Sequence, residues 1–254
     1  MSIKQRIAKA IAAAGVCSRR DAEKLIAEAK VKLNGSVVLS PATLVTERDD
    51  IRVEEKPLVP SQSPRLWIFF KPTGVITTNK DPQGRKTIFD LLPATLPRVI
   101  TIGRLDLNSE GLLLLTNSGE LARKMELPST KIERRYRCRV YGNVTAQMIT
   151  KLSQGIVMDD IRYGNIFVKS ERVVGSHTWV SVNLHEGKNR EIRRAFEYFN
   201  LKVNRLIRIG FDEFELGSLK PSELKEVPRA AVRELFQRLS IAHNIRERLA
   251  LKEI

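Results

Sequence analysis

The chain is short of the residues from which many active centres are built. It holds two cysteines and three histidines in 254 residues. Cys17 and Cys138 are too few for a disulfide framework, and two isolated thiols fit a reducing cytoplasm. His177, His185 and His243 have no partners at metal-ligand spacing, so no metal centre is expected. No G-x-G-x-x-G turn is present, which argues against a methyltransferase, and no G-x-x-x-x-G-K, which argues against an NTPase. No stretch approaches the roughly 20 apolar residues of a membrane span. The apolar part of the N-terminus after Lys9 is only about seven residues and lacks the large aliphatics of a signal peptide, so no export is expected. The scarcest commodity is negative charge: 29 acidic residues face 44 lysines and arginines, a net charge of +15. Such a surplus repels itself in a compact fold and is most simply explained by a polyanionic partner, nucleic acid ahead of an anionic membrane surface.

A chain of 254 residues has room for two domains with real cores. It is organised around residues 102–121, I-G-R-L-D-L-N-S-E-G-L-L-L-L-T-N-S-G-E-L. Arg104 and Asp106 open the stretch, and the apolar run Leu112–Leu115 follows. Four leucines without polar alternation predict a strand covered on both faces, with a short buried helix as the alternative. Asn117 reads as the N-cap of a helix, with Glu120 closing a capping box. Asp106 then sits on a loop beside a rigid element, held but reachable.

Upstream, Ile3, Ile7, Ile11 and Ala14 recur at helical spacing up to Gly15. Ser18 caps a second helix, with Arg19, Arg20 and Asp21 in its first turn and Ala22, Leu25, Ile26 and Ala29 as its buried stripe. V-K-L-N-G-S-V-V-L, which includes Lys32, predicts a hairpin around Asn34–Gly35, and Ile51–Val53 a last short strand. Arginines at a helix N-terminus suit phosphate, although the pair alone reads equally well as a solvated helix face. Residues 54–65 carry three prolines and no periodicity, as a semi-rigid linker does. The expected organisation is a small domain at 1–56, a linker at 57–65, a main domain at 66–228 and a basic helical tail at 229–254.

In the main domain Leu66–Phe70 reads as a strand ending at Lys71-Pro72, Asp81–Lys86 as a polar loop, and Ile88, Leu91 and Leu92 as a helical turn. Residues 132–144 form a strand with Tyr136, Cys138 and Val140 on one face. Residues 161–170 and 177–184 look like further strands. After a turn at Gly187 comes a helix with Ile192, Ala195, Phe196 and Phe199 inward and Arg190, Arg193 and Arg194 alongside. Residues 216–223 are expected to close the sheet. Val232, Leu235, Phe236 and Leu239 mark a C-terminal helix, equally readable as a docked tail or an RNA contact. Strands separated by turns, without regular β-α alternation, predict an α+β fold: a mostly antiparallel sheet with flanking helices, preceded by two helices and a hairpin.

G-R-L-D followed by S-E-G-L-L-L-L-T-N-S-G resembles the catalytic signature of the pseudouridine synthases that modify ribosomal RNA. W-I-F-F-K-P-T-G-V-I-T-T, E-I-R-R and R-L-I-R-I-G resemble further motifs of that family. A-G-V-C-S-R-R-D-A-E-K-L-I with V-K-L-N-G is similar to an S4 RNA-binding domain, departing from it at Lys30. The likeness covers nearly the whole chain. It implies that Asp106 is the catalytic carboxylate, Arg193 its salt-bridge partner, and Arg104 a holder of the flipped nucleotide. It implies that Tyr136 stacks on the uracil, that Leu206 lines the other face, and that Lys71 binds on the substrate side. Arg134 stands where the family carries lysine, which keeps charge but not hydrogen-bond geometry. Ser18, Arg19, Arg20, Lys32, Arg190 and Arg194 are the implied RNA contacts. The implied partner is ribosomal RNA, leaning to the large subunit, for a cytoplasmic monomer without cofactor or metal.

Isomerising uridine to its C-glycoside breaks one bond, turns the base and makes another. No redox or phosphoryl step occurs, so an ionised carboxylate suffices, as nucleophile towards C1′ or the base, or as base towards a ribose proton. A nearby arginine lowers an aspartate pKa by roughly 1–3 units, which Arg104 or Arg193 would supply. Extracting the base costs a few kcal/mol. One aromatic stack returns about 1–3 kcal/mol, so phosphate contacts must add the rest. The competing class is a non-catalytic S4-domain RNA-binding or ribosome-assembly protein, which would tolerate asparagine at position 106.

Overall fold

The structure is a computed structural model that describes residues 4–59, 62–79 and 81–250, with side chains described as far as Ile241. The N-terminal unit contains β1 (Gln5–Arg6), α1 (Ile7–Ala13), α2 (Arg19–Ala27), β2 (Val31–Leu33), β3 (Ser36–Val37), β4 (Leu44–Val45), β5 (Ile51–Val53) and β6 (Lys56–Pro57). Ile7, Ile11, Ala22 and Ile26 close its core against Val31, Val45 and Val53. Ser18 caps α2, accepting from the Asp21 N–H at 3.1 Å. The Asn34–Gly35 turn has φ of +49° and +85°, the left-handed pair a two-residue hairpin turn needs. The first helix begins only at Ile7, because Gln5 and Arg6 pair with β4; Ile3 lies outside the described residues. Ala29 is exposed with φ +57°, past the end of α2 rather than on its buried stripe. The sheet of this unit runs through Pro57, one residue past the expected boundary.

The main unit contains β7 (Leu66–Lys71), a 3-10 turn at Ile88–Leu91, β8 (Ile100–Ile102), β9 (Glu110–Thr116), α3 (Gly119–Glu126), β10 (Arg134–Tyr141), α4 (Ala146–Ser153), β11 (Ile156–Met158), β12 (Ile161–Tyr163), β13 (Phe167–Val174), β14 (His177–Leu184), α5 (Glu191–Glu197), β15 (Lys202–Phe211), β16 (Phe214–Glu215), β17 (Leu224–Glu226) and α6 (Arg229–Ala250). The sheet order is β13-β14-β10-β15-β9-β7-β17, with β8 beside β9 and β16 beside β15. Among the described strands only β15 and β9 pair in parallel. The fold is therefore α+β around a mostly antiparallel sheet.

Strand β9 is buried along its whole length. Leu113 and Leu115 enter a core under α4 and α5, whereas Leu112 and Leu114 enter a second core under α3 and α6. This two-sided burial is why no polar residue interrupts the run. Val232, Leu235 and Leu239 are buried against the second core, so this part of α6 is a docked helix.

Three local expectations are corrected. Helix α3 is capped by Ser118, whose hydroxyl accepts from the Leu121 N–H at 3.2 Å. The Asn117 amide accepts instead from the Arg65 N–H at 2.7 Å and donates to the Ser63 carbonyl at 3.2 Å, which ties β9 to the start of β7. The stretch expected as one strand at 161–170 splits into β12 and β13, because β12 pairs with β11 while β13 pairs with β14. The sheet closes through β17 on β7, not through residues 216–223.

Candidate active site

Where β15 runs parallel to β9, Arg208 lies opposite Gly111. A Cβ at position 111 would stand 2.3 Å from the Arg208 carbonyl oxygen, so only glycine admits this approach. A cavity of about 400 Å³ opens beside this junction. The loop before β9 contributes Arg104, Asp106 and Ser109, β10 contributes Arg134 and Tyr136, and β15 contributes Leu206, Arg208 and Phe211. Lys188, Arg190 and Glu191 come from the turn into α5.

The Asp106 loop is held by its backbone. Lys71 is fully buried, and its Nζ donates to the carbonyls of Asp106 at 3.0 Å, Ser109 at 2.9 Å and Pro72 at 3.0 Å. Burial pulls its pKa down to about 8, against the opposing pull of Asp106 and Glu110. Arg193, 7% exposed, donates from Nη2 to the Asn108 carbonyl at 2.8 Å and from Nη1 to the Val203 carbonyl at 2.6 Å. The Thr77 hydroxyl donates to the Leu105 carbonyl at 2.9 Å. Asp106 itself stays half-buried on the cavity wall, its backbone carbonyl held by Lys71.

Two expectations change here. Arg193 does not form the expected ion pair with Asp106, because its Nη atoms are taken by carbonyls. Burial and the charge of Arg190 lower its pKa, and the charge of Asp106 opposes them, so the two are coupled through space. Lys71 is not a substrate contact: a fully buried ammonium with three carbonyl acceptors is a strut beneath the loop.

Tyr136, 9% exposed, and Leu206, 7% exposed, both line the cavity. Arg134 donates to the Ile132 carbonyl at 2.9 Å, and burial lowers its pKa. The guanidiniums of Arg134 and Arg208 lie 5.2 and 5.1 Å from the Phe211 ring centroid. At the start of α5, Glu191 accepts from the Lys188 N–H at 3.0 Å. Burial first, then the neighbouring Glu186 carboxylate, push its pKa up to about 8, which favours its neutral form.

Of the expected RNA contacts, Arg190 reaches the cavity, and Arg19 and Arg20 are exposed on α2. The Ser18 hydroxyl is committed to Asp21, donating to its carboxylate at 2.5 Å. Lys32 pairs with Glu55 at 2.7 Å. Arg194 does not line the cavity and donates to the Tyr163 hydroxyl at 3.3 Å. Arg208, Lys188 and Glu191 were not singled out from the sequence. The signal for Arg208 was available: residues two apart on a strand share a face, so a Leu206 that faces the cavity brings Arg208 with it.

A family model described as RNA pseudouridylate synthase matches residues 65–198, and one described as S4 domain matches residues 5–51. An uncharacterized RNA pseudouridine synthase of Rickettsia felis is 54% identical over 224 residues, 88% of this chain and 96% of that protein. A ribosomal large subunit pseudouridine synthase B of Haemophilus influenzae is 36% identical over 237 residues, 91% of this chain and 64% of that protein. The crystal structure of a pseudouridylate synthase shares the fold, with a TM-score of 0.64 at 24% identity over 91% of this chain and 99% of that one. With the cavity, its acidic loop and an S4 domain in front, the chain belongs to the RNA pseudouridylate synthase family and is an RNA pseudouridine synthase.

Proposed function

We propose that this enzyme isomerises a uridine of large-subunit ribosomal RNA, with Asp106 as the catalytic carboxylate acting on a flipped-out nucleotide. The observation that carries the reading is the meeting of Asp106, Tyr136 and Leu206 on one cavity, from three separate elements. Tyr136 stacks on the uracil and Leu206 closes the opposite side, each a contact that any extracted pyrimidine can use. Arg104 is exposed at the mouth and holds the displaced nucleotide. Lys71 and Arg193 act as positioning residues, gripping the backbone on both sides of Asp106. Arg19 and Arg20 on the S4 domain supply phosphate contacts that raise the local concentration of the main unit at the RNA. The large-subunit assignment is supported by the names of the Haemophilus influenzae relative and of one from Xanthomonas campestris, 40% identical over 84% of this chain and 45% of that protein. A monomer working in the cytoplasm completes the reading.

The test is pseudouridine mapping of ribosomal RNA from cells lacking the gene, complemented with the wild type or Asp106→Asn. The expected result is loss of pseudouridine at a large-subunit position, restored by the wild type alone. Restoration by both proteins removes Asp106 from the chemistry, and a lost site in the small subunit redirects the substrate.

A further inference from the structure

We propose that Arg208 is a further catalytic residue, donating a hydrogen bond to a carbonyl oxygen of the extracted uracil and stabilising the negative charge that the base carries once its glycosidic bond has broken. The proposal rests on the reading of the cavity as the uridine site.

Arg208 is 3% exposed yet lines the cavity, and one end of it is anchored: Nε donates to the Leu112 carbonyl at 2.7 Å. Its Nη2 is shielded from solvent and has no hydrogen-bond partner among the described residues. A buried guanidinium nitrogen without an acceptor is expensive to leave so, and such atoms in native proteins mark a place where a ligand or an ordered water completes the set. The neighbours of Arg208 on this wall are the Phe211 ring and a second guanidinium, Arg134. Burial favours the neutral form of Glu191, a carboxyl lining the same cavity. The wall is thus electropositive before substrate arrives.

Depth decides which part of the nucleotide this charge meets. Arg104 is exposed and Lys188 and Arg190 are at least 40% exposed at their side chains, so the rim cations suit the phosphates. Arg208 is paired in register with Tyr136 and stands two residues from Leu206 on the same face of β15. A flat ring held between Tyr136 and Leu206 presents its edge to Arg208, and that edge carries O2 and O4 of uracil.

The chemistry needs a cation there. Written for attack at C1′, an Asp106 oxygen bonds to C1′ while the C1′–N1 bond breaks, its electron pair going to the base and spreading over O2 and O4. After the base turns, C5 bonds to C1′ and displaces the carboxylate, and the C5 proton leaves as N1 gains one. Composition is unchanged and no co-reactant is consumed. A fixed, desolvated donor aimed at the oxygens where the charge collects acts in the transition state more than in the ground state, as an oxyanion hole does.

The experiment uses the full chain and ribosomal RNA from cells lacking the gene. Arg208→Lys keeps the charge and a donor for the Leu112 carbonyl; Arg208→Gln removes the charge. The expected result is a fall in the single-turnover rate at saturating RNA of about 10²–10³-fold, the range for removal of one oxyanion donor. RNA affinity should stay within about threefold, because deep contacts to one base add little to binding dominated by phosphates. Rates within threefold of wild type in both variants overturn the assignment, as does an effect carried wholly by affinity, which would make Arg208 a phosphate ligand. A structural role alone is separated by a substrate change: a synthetic RNA spanning the mapped uridine carries 2-thiouridine or 4-thiouridine there, whose sulfur is a poor acceptor. One of the two should slow the wild type at least tenfold, and if Arg208→Gln folds, it should lose that sensitivity. Equal rates on all three RNAs overturn the proposal even where the variants misfold. Wild-type protein that forms no pseudouridine at all overturns the substrate reading, and the role of Arg208 with it.

Discussion

Replacing Lys71 with methionine isolates what the strut beneath Asp106 contributes. The substitution keeps length and volume and removes three hydrogen bonds to the carbonyls of Pro72, Asp106 and Ser109. Bonds from a charged donor are worth about 1.5–3 kcal/mol each, a gross loss of about 4.5–9 kcal/mol. Against this stands relief of the buried charge: a pKa drawn from 10.5 to about 8 corresponds to about 3 kcal/mol of desolvation that methionine does not incur. The net expected loss is about 3 kcal/mol in urea unfolding at pH 7. Function should suffer as well as stability. The Asp106 carbonyl is deprived of the side-chain donor that fixes it, and misplacement of a reacting group by about 1 Å lowers rates by roughly 10²-fold. Single-turnover pseudouridine formation should therefore fall about 100-fold while RNA affinity, set by surface cations, stays within about threefold. A variant destabilised by less than 1 kcal/mol with wild-type turnover would falsify the strut reading.

Glu191 gives a pH signature. Its pKa rises from 4.5 unfolded to about 8 folded, by burial and then by Glu186. The native state therefore holds this proton longer, and the group's contribution is whole below pH 4.5 and lost progressively as pH rises to about 8. Glu186 is also raised by burial, but hydrogen bonds from Glu191, Lys188 and the Gly164 N–H bring it net below its ordinary value, so its slope lies under pH 4.5. Urea midpoints from pH 5 to 8 should fall more steeply in the wild type than in Glu191→Gln, and parallel curves would contradict the neutral carboxyl. Gly111→Ala should leave the protein insoluble or destabilised by about 4 kcal/mol or more, since its Cβ meets backbone at 2.3 Å with φ +104°; a soluble variant of wild-type melting temperature would refute the close strand approach. Arg19→Gln with Arg20→Gln should reduce the salt slope of RNA binding by about 0.7–0.9 for each phosphate no longer neutralised, leaving the rate at saturation unchanged. An unaltered slope would mean that both arginines are merely solvated.

What could be read in the sequence is what local physics determines. The leucine run on β9 was legible because burial on both faces forbids polar alternation, and Asn34–Gly35 because its backbone needs left-handed conformations. Asn117 misleads for the opposite reason. It has the chemistry of a cap, but its amide serves Arg65, 52 positions away. Two of the three partners of Lys71 lie 35 and 38 residues off and one of the two partners of Arg193 lies 85 off, and no periodicity records such distances.

The same blindness affects the net charge, with a consequence for binding. A surplus of +15 counts every arginine and lysine alike. Yet Lys71, Arg193 and Arg208 are buried, and each is tethered to at least one backbone carbonyl. Arg135, Arg137, Arg205 and Arg238 are each bound to a carboxylate. Such cations neutralise no phosphate without first breaking a bond, so they release no counterions when RNA binds. The number of phosphates engaged, read from the salt dependence, should therefore follow the exposed, unpaired cations and not the net charge. A salt slope that fell in Lys71→Met would mean that RNA pulls this strut out of the fold, and the Asp106 loop would lose its footing in the complex where it has to act.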